Sequence, residues 1–177
     1  MIKVTSFRDM ECPVARSLEE VGEWWSILIL RDAFHGLRRF DAFEVSLGMA
    51  SSTLARRLSL LVEHGMLARR RYSERPPRDE YVLTEKGRDF YPVLLALMAW
   101  GNRHLADPNG PAVWAVNRDS GAVIEPVLID AKTGQRIQLR DISLAPGPTA
   151  GPEIHQRMAR AAAARQARLA EKNKEPL

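Results

Sequence analysis

A single cysteine, Cys12, stands in the 177 residues. That excludes an internal disulfide framework and any zinc site built from several thiolates. No uninterrupted apolar run approaches the roughly 20 residues a membrane span requires. The opening MIKVTSFRDMECPV lacks the apolar core of a secretory signal. The expected location is therefore cytoplasmic, with no membrane partner. His35, His64, His104 and His155 lie too far apart in sequence for metal-ligand spacing. No serine–histidine–aspartate grouping, glycine-rich phosphate loop or paired-carboxylate signature is present. These absences argue against an enzyme and leave no expected cofactor or metal.

What is there is charge in particular places. The formal charge of +4 is ordinary by itself, and a 45% hydrophobic content with mean hydropathy of −0.27 suits a soluble protein with a real core. Between Arg69 and Arg78, however, five arginines face one acid, Glu74. Positive charge concentrated on a short element is what phosphate contact requires, because neutralising DNA releases condensed counterions.

Apolar periodicity predicts helices from Pro13, with Val14, Leu18 and Val21 on one face, and over 23–34 after Gly22. A short third helix is expected over 38–46, a turn at Leu47-Gly48, and a fourth helix capped by Ser51 or Ser52. On that fourth helix Leu54, Leu58, Leu61 and Val62 form a core-facing stripe, with Gly65 ending it. Its opposite face carries Ser52, Arg56, Ser59 and Glu63, flanked by Thr53 and by Arg57, the latter placed for phosphate or a neighbouring acid; Ser51, Ser52, Thr53, Arg56, Arg57 and Ser59 are the candidate DNA contacts of this helix. Arginine offers two donors to a guanine edge, and serine or threonine can reach bases or phosphates. Strands are expected over 66–72 and 80–83 around a tip at 73–78, where Ser73, Arg75 and Arg78, with Arg69 and Arg71 behind them, are candidate contacts to the DNA backbone or minor groove. Thr84 should cap a further helix that Pro92 interrupts. Its apolar positions Leu94, Leu97, Met98, Trp100, Gly101 and Leu105 suit a self-complementary seam against a second copy.

The expected architecture is mainly α with a small β-wing, a winged helix-turn-helix over residues 1–106. A small β-rich module follows over 107–146, and a linker with a basic tail, helical or disordered, over 147–177. In that module short strands are expected over 113–116, 122–129 and 136–139. From Glu153 the tail holds six basic residues against three acidic.

Several of these residues together resemble the HxlR-type winged-helix regulators, relatives of the MarR class. They are Cys12-Pro13, LILRDAF at 28–34, RRF at 38–40, LGMASSTLARRL at 47–58, YSERPPRDEY with LTEKG at 72–87, and WGNRHL at 100–105. The resemblance spans roughly the first three-fifths of the chain. It implies a homodimeric bacterial regulator whose helix at 51–64 enters the major groove of an operator, with 73–78 as wing and the helices at 11–21 and 92–105 building the dimer. Some such proteins carry a small zinc-ribbon-like appendage. Residues 112–145 are similar in outline, but Ser120, Asp130 and Thr133 stand where cysteines are expected, implying a metal-free module.

Cys12, expected at a helix N-terminus, faces the dipole end that favours thiolate, with Arg8 and Arg16 helping and Glu11 opposing. The resemblance implies an oxidant or electrophile sensor there; a buried, inert thiol is the alternative reading. Trp24, Trp25 and Tyr91 are candidates to line a pocket for an unidentified small-molecule effector, or simply to fill core. The expected function is a sequence-specific regulator, and a repressor in particular. The competing reading is a winged-helix scaffold for protein partners without specific DNA readout.

Overall fold

The structure, a computed structural model, describes residues 6–172; the expectation of a tail to residue 177 lies in part outside them. It forms two compact units, Glu20–Arg136 and the described parts of Met1–Glu19 with Ile137–Leu177. The boundary expected after residue 106 therefore falls inside the larger unit. There, Asn102 Nδ2 donates 3.0 Å to the Val113 carbonyl, fastening the segment after the last helix of that unit onto the helix itself.

Helices α1 (Pro13–Val21), α2 (Trp24–Phe34), α3 (Phe40–Leu47) and α4 (Ser51–Glu63) precede a hairpin of β1 (Leu67–Glu74) and β2 (Pro77–Leu83). Two further helices follow, α5 (Glu85–Asp89) and α6 (Tyr91–His104). Ile29 and Leu30 of α2, Phe43 of α3, and Leu54, Leu58 and Leu61 of α4 bury together with Met66 and Leu67. This is the predicted stripe of α4, and it fixes which side of that helix remains free.

Two glycines set the angles around α4. Gly48 takes the left-handed conformation (φ 59°) while its N–H bonds the Glu44 carbonyl, closing α3. Gly65 (φ 69°) donates to Val62 O and Met66 to Leu61 O, a complete Schellman closure of α4. The buried Asp32 accepts from Arg31 Nε at 2.9 Å and from Ser46 Oγ at 2.7 Å, tying α2 to the end of α3.

The antiparallel ladder runs from Leu67↔Leu83 to Glu74↔Pro77, with an irregularity between Arg71 and Ser73. The strands thus extend further than expected, leaving only Arg75-Pro76 as the tip. Pro77 is tolerated because a two-stranded ribbon does not need its missing N–H. The ribbon is anchored to the helices by Tyr81 N donating 2.7 Å to Arg38 O and by the Arg39 guanidinium 4.6 Å over the Tyr72 ring. Thr84 caps α5 as expected, accepting from Gly87 N at 3.0 Å.

Residues 107–136 correct the β-rich expectation. Among the described residues they hold isolated bridges, Asp107↔Gly110, Val116↔Val123 and Ile129↔Arg136, and no ladder. Val113, Val116, Val123, Leu128 and Ile129 are exposed, so these segments gain no core to stabilise pairing, and Pro126 cannot donate to one. Side chains organise the backbone instead. Asn117 Oδ1 accepts from Asp119 N, Ser120 N and Ser120 Oγ at 2.9–3.0 Å. Asp130 does the same for Lys132 N and Thr133 Oγ1 at 2.9 and 3.0 Å. Each turn closes on a left-handed glycine, Gly121 or Gly134.

Of the expected third strand over 136–139, Arg136 makes an isolated bridge to Ile129, and in the smaller unit Leu139 opens a 3-10 turn, Leu139–Asp141. The tail, expected as frayed helix or disorder, is helix α7 (Pro152–Lys172). Gly151 N donates to Glu11 Oε2 at 3.1 Å just before it.

Candidate nucleic-acid interface

The buried stripe of α4 leaves Ser52, Arg56 and Ser59 exposed together on its outer side, with Thr53 half-buried beside them. Among the described residues Arg56 makes no ion pair, so its five donors remain available to a partner. Ser51 and Arg57 are placed differently from their companions. The N-cap is Ala50, with no side-chain cap, and Ser51 instead donates its hydroxyl to Glu44 Oε1 across the turn. Arg57 is 7% exposed, and its Nη2 lies 2.9 Å from Glu23 Oε2. One step of about 100° around the helix turns Arg57 inward while Arg56 points out. Of the two options open for Arg57, the neighbouring acid holds.

On the wing, charge is divided between internal and free cations. Asp79 is bracketed by Arg69 Nε at 2.8 Å and Arg71 Nε at 2.6 Å. Arg70 pairs with the buried Glu80. Arg75 and Arg78, at and beside the tip, have no ion pair among the described residues, and both are exposed. Ser73 is held by the turn, its Oγ donating 2.9 Å to Pro76 O. Structural wing arginines could not be separated from free ones at the level of sequence, because the distinction depends on the register that sets Asp79 opposite Arg71.

The outer side of α4 and the wing tip thus present unpaired donors on two elements locked to one core. That is the combination by which winged helix-turn-helix proteins read base edges from a helix while gripping phosphates from a ribbon. A family model described as HxlR-like helix-turn-helix matches residues 20–109. This chain belongs to the HxlR-like family. It is 44% identical over 135 residues to an uncharacterised HTH-type transcriptional regulator of Mycobacterium bovis, covering 76% of this chain and 85% of that protein. The crystal structure of PA1607, described as a candidate transcription factor, is similar with a TM-score of 0.74 and 40% identity, over 81% of this chain and all of that one. The redox regulator HypR in its oxidised form matches at TM-score 0.50 and 30% identity, over 54% of this chain and all of its own. As an HxlR-like protein the chain is a transcriptional regulator of helix-turn-helix type, a DNA-binding protein and not an enzyme. No described helix is long and apolar enough to cross a membrane.

The other candidates of this HxlR-like chain are dispersed. On α6, Leu97 and Trp100 are exposed, as is Leu105 at its C-cap; Leu94, Met98 and Gly101 are half-buried, and no residue of the helix is fully buried. A cavity of about 330 Å³ lies between α2, α6 and residues 113–115. Tyr91 lines it as expected, with Leu28, Leu94, Met98 and Trp114, but Trp24 and Trp25 do not. Those two rings meet each other tilted by 53° with centroids 5.7 Å apart, and Trp25 packs on the core.

In the smaller unit Cys12 precedes α1 and its carbonyl accepts from Arg16 N at 3.0 Å, the N-cap position. The thiol is partly exposed. Its pKa is held below the ordinary thiol value, chiefly by the Ala15 backbone N–H and next by the Arg157 side chain. Arg157 lies on α7, far along the sequence, and nothing at the sequence level linked it to Cys12. Neither Arg8 nor Arg16 is among the causes.

Proposed function

We propose that this regulator acts as a homodimer that reads a specific operator and represses transcription from it. The observation that carries the reading is the outward cluster of Ser52, Arg56 and Ser59 on α4, with Arg56 unpaired while adjacent Arg57 is committed to the fold. Ser52, Thr53, Arg56 and Ser59 are the base-reading set, and Arg75 and Arg78 the phosphate-gripping set, with Arg69 and Arg71 supporting the ribbon. Duplication supplies a second half-site, which raises affinity through effective concentration. Support for a twofold seam is the apolar exposure on α6, where Leu97 is 51% and Trp100 54% exposed. A dimer spread over two half-sites at a promoter excludes polymerase, hence repression.

Two inputs are proposed. The cavity beside Tyr91 and Trp114 suits a small apolar effector. Cys12 suits a peroxide: its thiolate attacks one peroxide oxygen, an S–O bond forms as O–O breaks, and the departing oxygen takes a proton. Sulfur is oxidised by two electrons and the peroxide reduced. The similarity to a redox regulator supports this input.

The test is a gel shift of the full chain against the promoter region flanking its own coding sequence. A salt-sensitive complex formed preferentially with one fragment is expected. Absence of salt-sensitive binding to any fragment would favour the protein scaffold instead.

A further inference from the structure

The basic tail is not consumed by the interface described above. On α7, Arg157, Arg160, Arg165 and Arg168 are all exposed. At 3.6 residues per turn they fall within an arc of about 140° and span about 16 Å along the helix. None of the four forms an ion pair among the described residues; Arg157 is near enough to Cys12 to help lower its thiol pKa. Across an open groove from Arg165 and Arg168 lies Arg140, whose Nε is 3.7 Å from Asp141.

Helical spacing did not have to produce this. Had the arginines been scattered around α7, their charge would be solvated on all sides. Gathered on one side, where Glu153 one turn before Arg157 is the single carboxylate among the side chains described, they raise the local potential and remain costly to leave unneutralised at low salt. The opposite side holds His155, Ala159, Ala162, Ala163 and Gln166. Among the side chains described it offers no large apolar group to insert into a bilayer, as an interfacial helix needs, nor an aromatic anchor for a protein interface. A polyanion that asks for charge rather than apolar area fits best. The axial steps between successive arginines, about 4.5 to 7.5 Å, are within reach of duplex phosphates that recur every ~3.4 Å along each strand.

We infer that the arginine side of α7 is a second duplex-binding surface, gripping the phosphate backbone independently of base sequence. This rests on the proposed DNA-binding function and extends it to a part of the chain outside the helix-turn-helix. Arg160, Arg165 and Arg168 make the contacts; Arg157 is shared with Cys12.

The experiment compares the full chain with the triple variant Arg160→Gln/Arg165→Gln/Arg168→Gln, measuring duplex binding across a salt series. Glutamine keeps helix propensity close to that of arginine, and circular dichroism checks that α7 is retained. The triple Lys variant preserves charge and serves as the second control. The Gln variant is expected to lose about two to three units from the slope of log K against log salt, on specific and unrelated duplexes alike, while the Lys variant keeps the wild-type slope. A Gln variant that retains its helix and the wild-type slope overturns the inference while leaving the operator-reading function standing. Unchanged slope together with loss of binding to phosphatidylserine vesicles assigns the surface to membranes, and overturns it equally. A wild-type chain with no salt-sensitive duplex binding removes the proposed function and this inference with it.

Discussion

The Arg57 guanidinium lies 2.9 Å from the Glu23 carboxylate, an ion pair joining the middle of α4 to the residue that precedes α2. The Arg57 side chain is 9% exposed and Glu23 55%, so the pair is buried at one end only. Arg57→Ala removes buried aliphatic packing and the ion pair, but leaves Glu23 in water. The loss is then below that of a fully buried pair, about 1–2 kcal/mol of folding stability. Urea denaturation should show a lower midpoint, while the salt slope of DNA binding stays at the wild-type value. A flattened slope with an unmoved midpoint would return Arg57 to the DNA.

Gly87 illustrates a sign reversal. In a helix, alanine is intrinsically better than glycine by about 1 kcal/mol. Here a Cβ at position 87 would overlap the Met66 carbonyl oxygen and sit 3.2 Å from Leu83 Cδ2. Thr84 N donates 3.2 Å to the same Met66 carbonyl, so neither backbone can easily withdraw. Gly87→Ala should therefore destabilise by roughly 1–3 kcal/mol, read as a fall in urea midpoint. A more stable variant would show that the close approach relaxes at little cost.

Arg56 and Arg75 are both exposed and unpaired, yet their elements differ, and so should their variants. Arg56→Ala should cost ~1–3 kcal/mol on the preferred operator and relax discrimination at one base position. Arg75→Ala should weaken all duplexes similarly and reduce the salt slope by about one. Binding to operator and scrambled duplexes over a salt range separates the two. If both variants behave alike, the assignment of reading to α4 and gripping to the ribbon is wrong.

The helix-turn-helix was legible in the sequence because local signals there agree with one another. The Leu54, Leu58 and Leu61 stripe, the left-handed glycines 48 and 65 and the Thr84 cap are short-range devices, each visible within a few residues. What stayed hidden depends on distant partners. Arg57 could not be told from Arg56 without knowing that Glu23 reaches it, nor could Cys12 be linked to Arg157. Residues 113–139 read as strands because their β-branched residues alternate with turn signals. Strand propensity reports fit to a half-buried pleated surface, and these segments have no such surface, so only the turns survive.

Those two turns are chemically unequal, which gives a pH test. The Asp130 carboxylate is held below its ordinary pKa, first by the Lys132 backbone N–H and next by the Thr133 hydroxyl. A depressed carboxylate stabilises its turn at pH above the ordinary carboxylate range, and that contribution is lost as pH falls through the lowered folded value. The matching turn is held by Asn117, whose amide does not titrate in this range. On acidification the Gly134 amide should lose hydrogen-exchange protection relative to a pH-matched exchange standard, while Gly121 keeps its own. Parallel loss at both glycines would mean the segment opens as one, with Asp130 incidental.

The thiol of Cys12 offers the most direct link between structure and regulation. Its lowered pKa comes first from the Ala15 N–H at the start of α1, and then from Arg157 on α7. Its rate of alkylation by iodoacetamide should therefore rise with pH through an inflection below that of a free thiol, since only thiolate reacts. Arg157→Gln should move the inflection upward without restoring it fully, because the Ala15 N–H remains. If Cys12 carries the oxidant signal, peroxide should change operator binding by the wild type and leave Cys12→Ser unaffected. An inflection at the ordinary thiol value would leave the thiol unactivated, and a Ser variant that still responds to peroxide would place the sensor elsewhere in the chain.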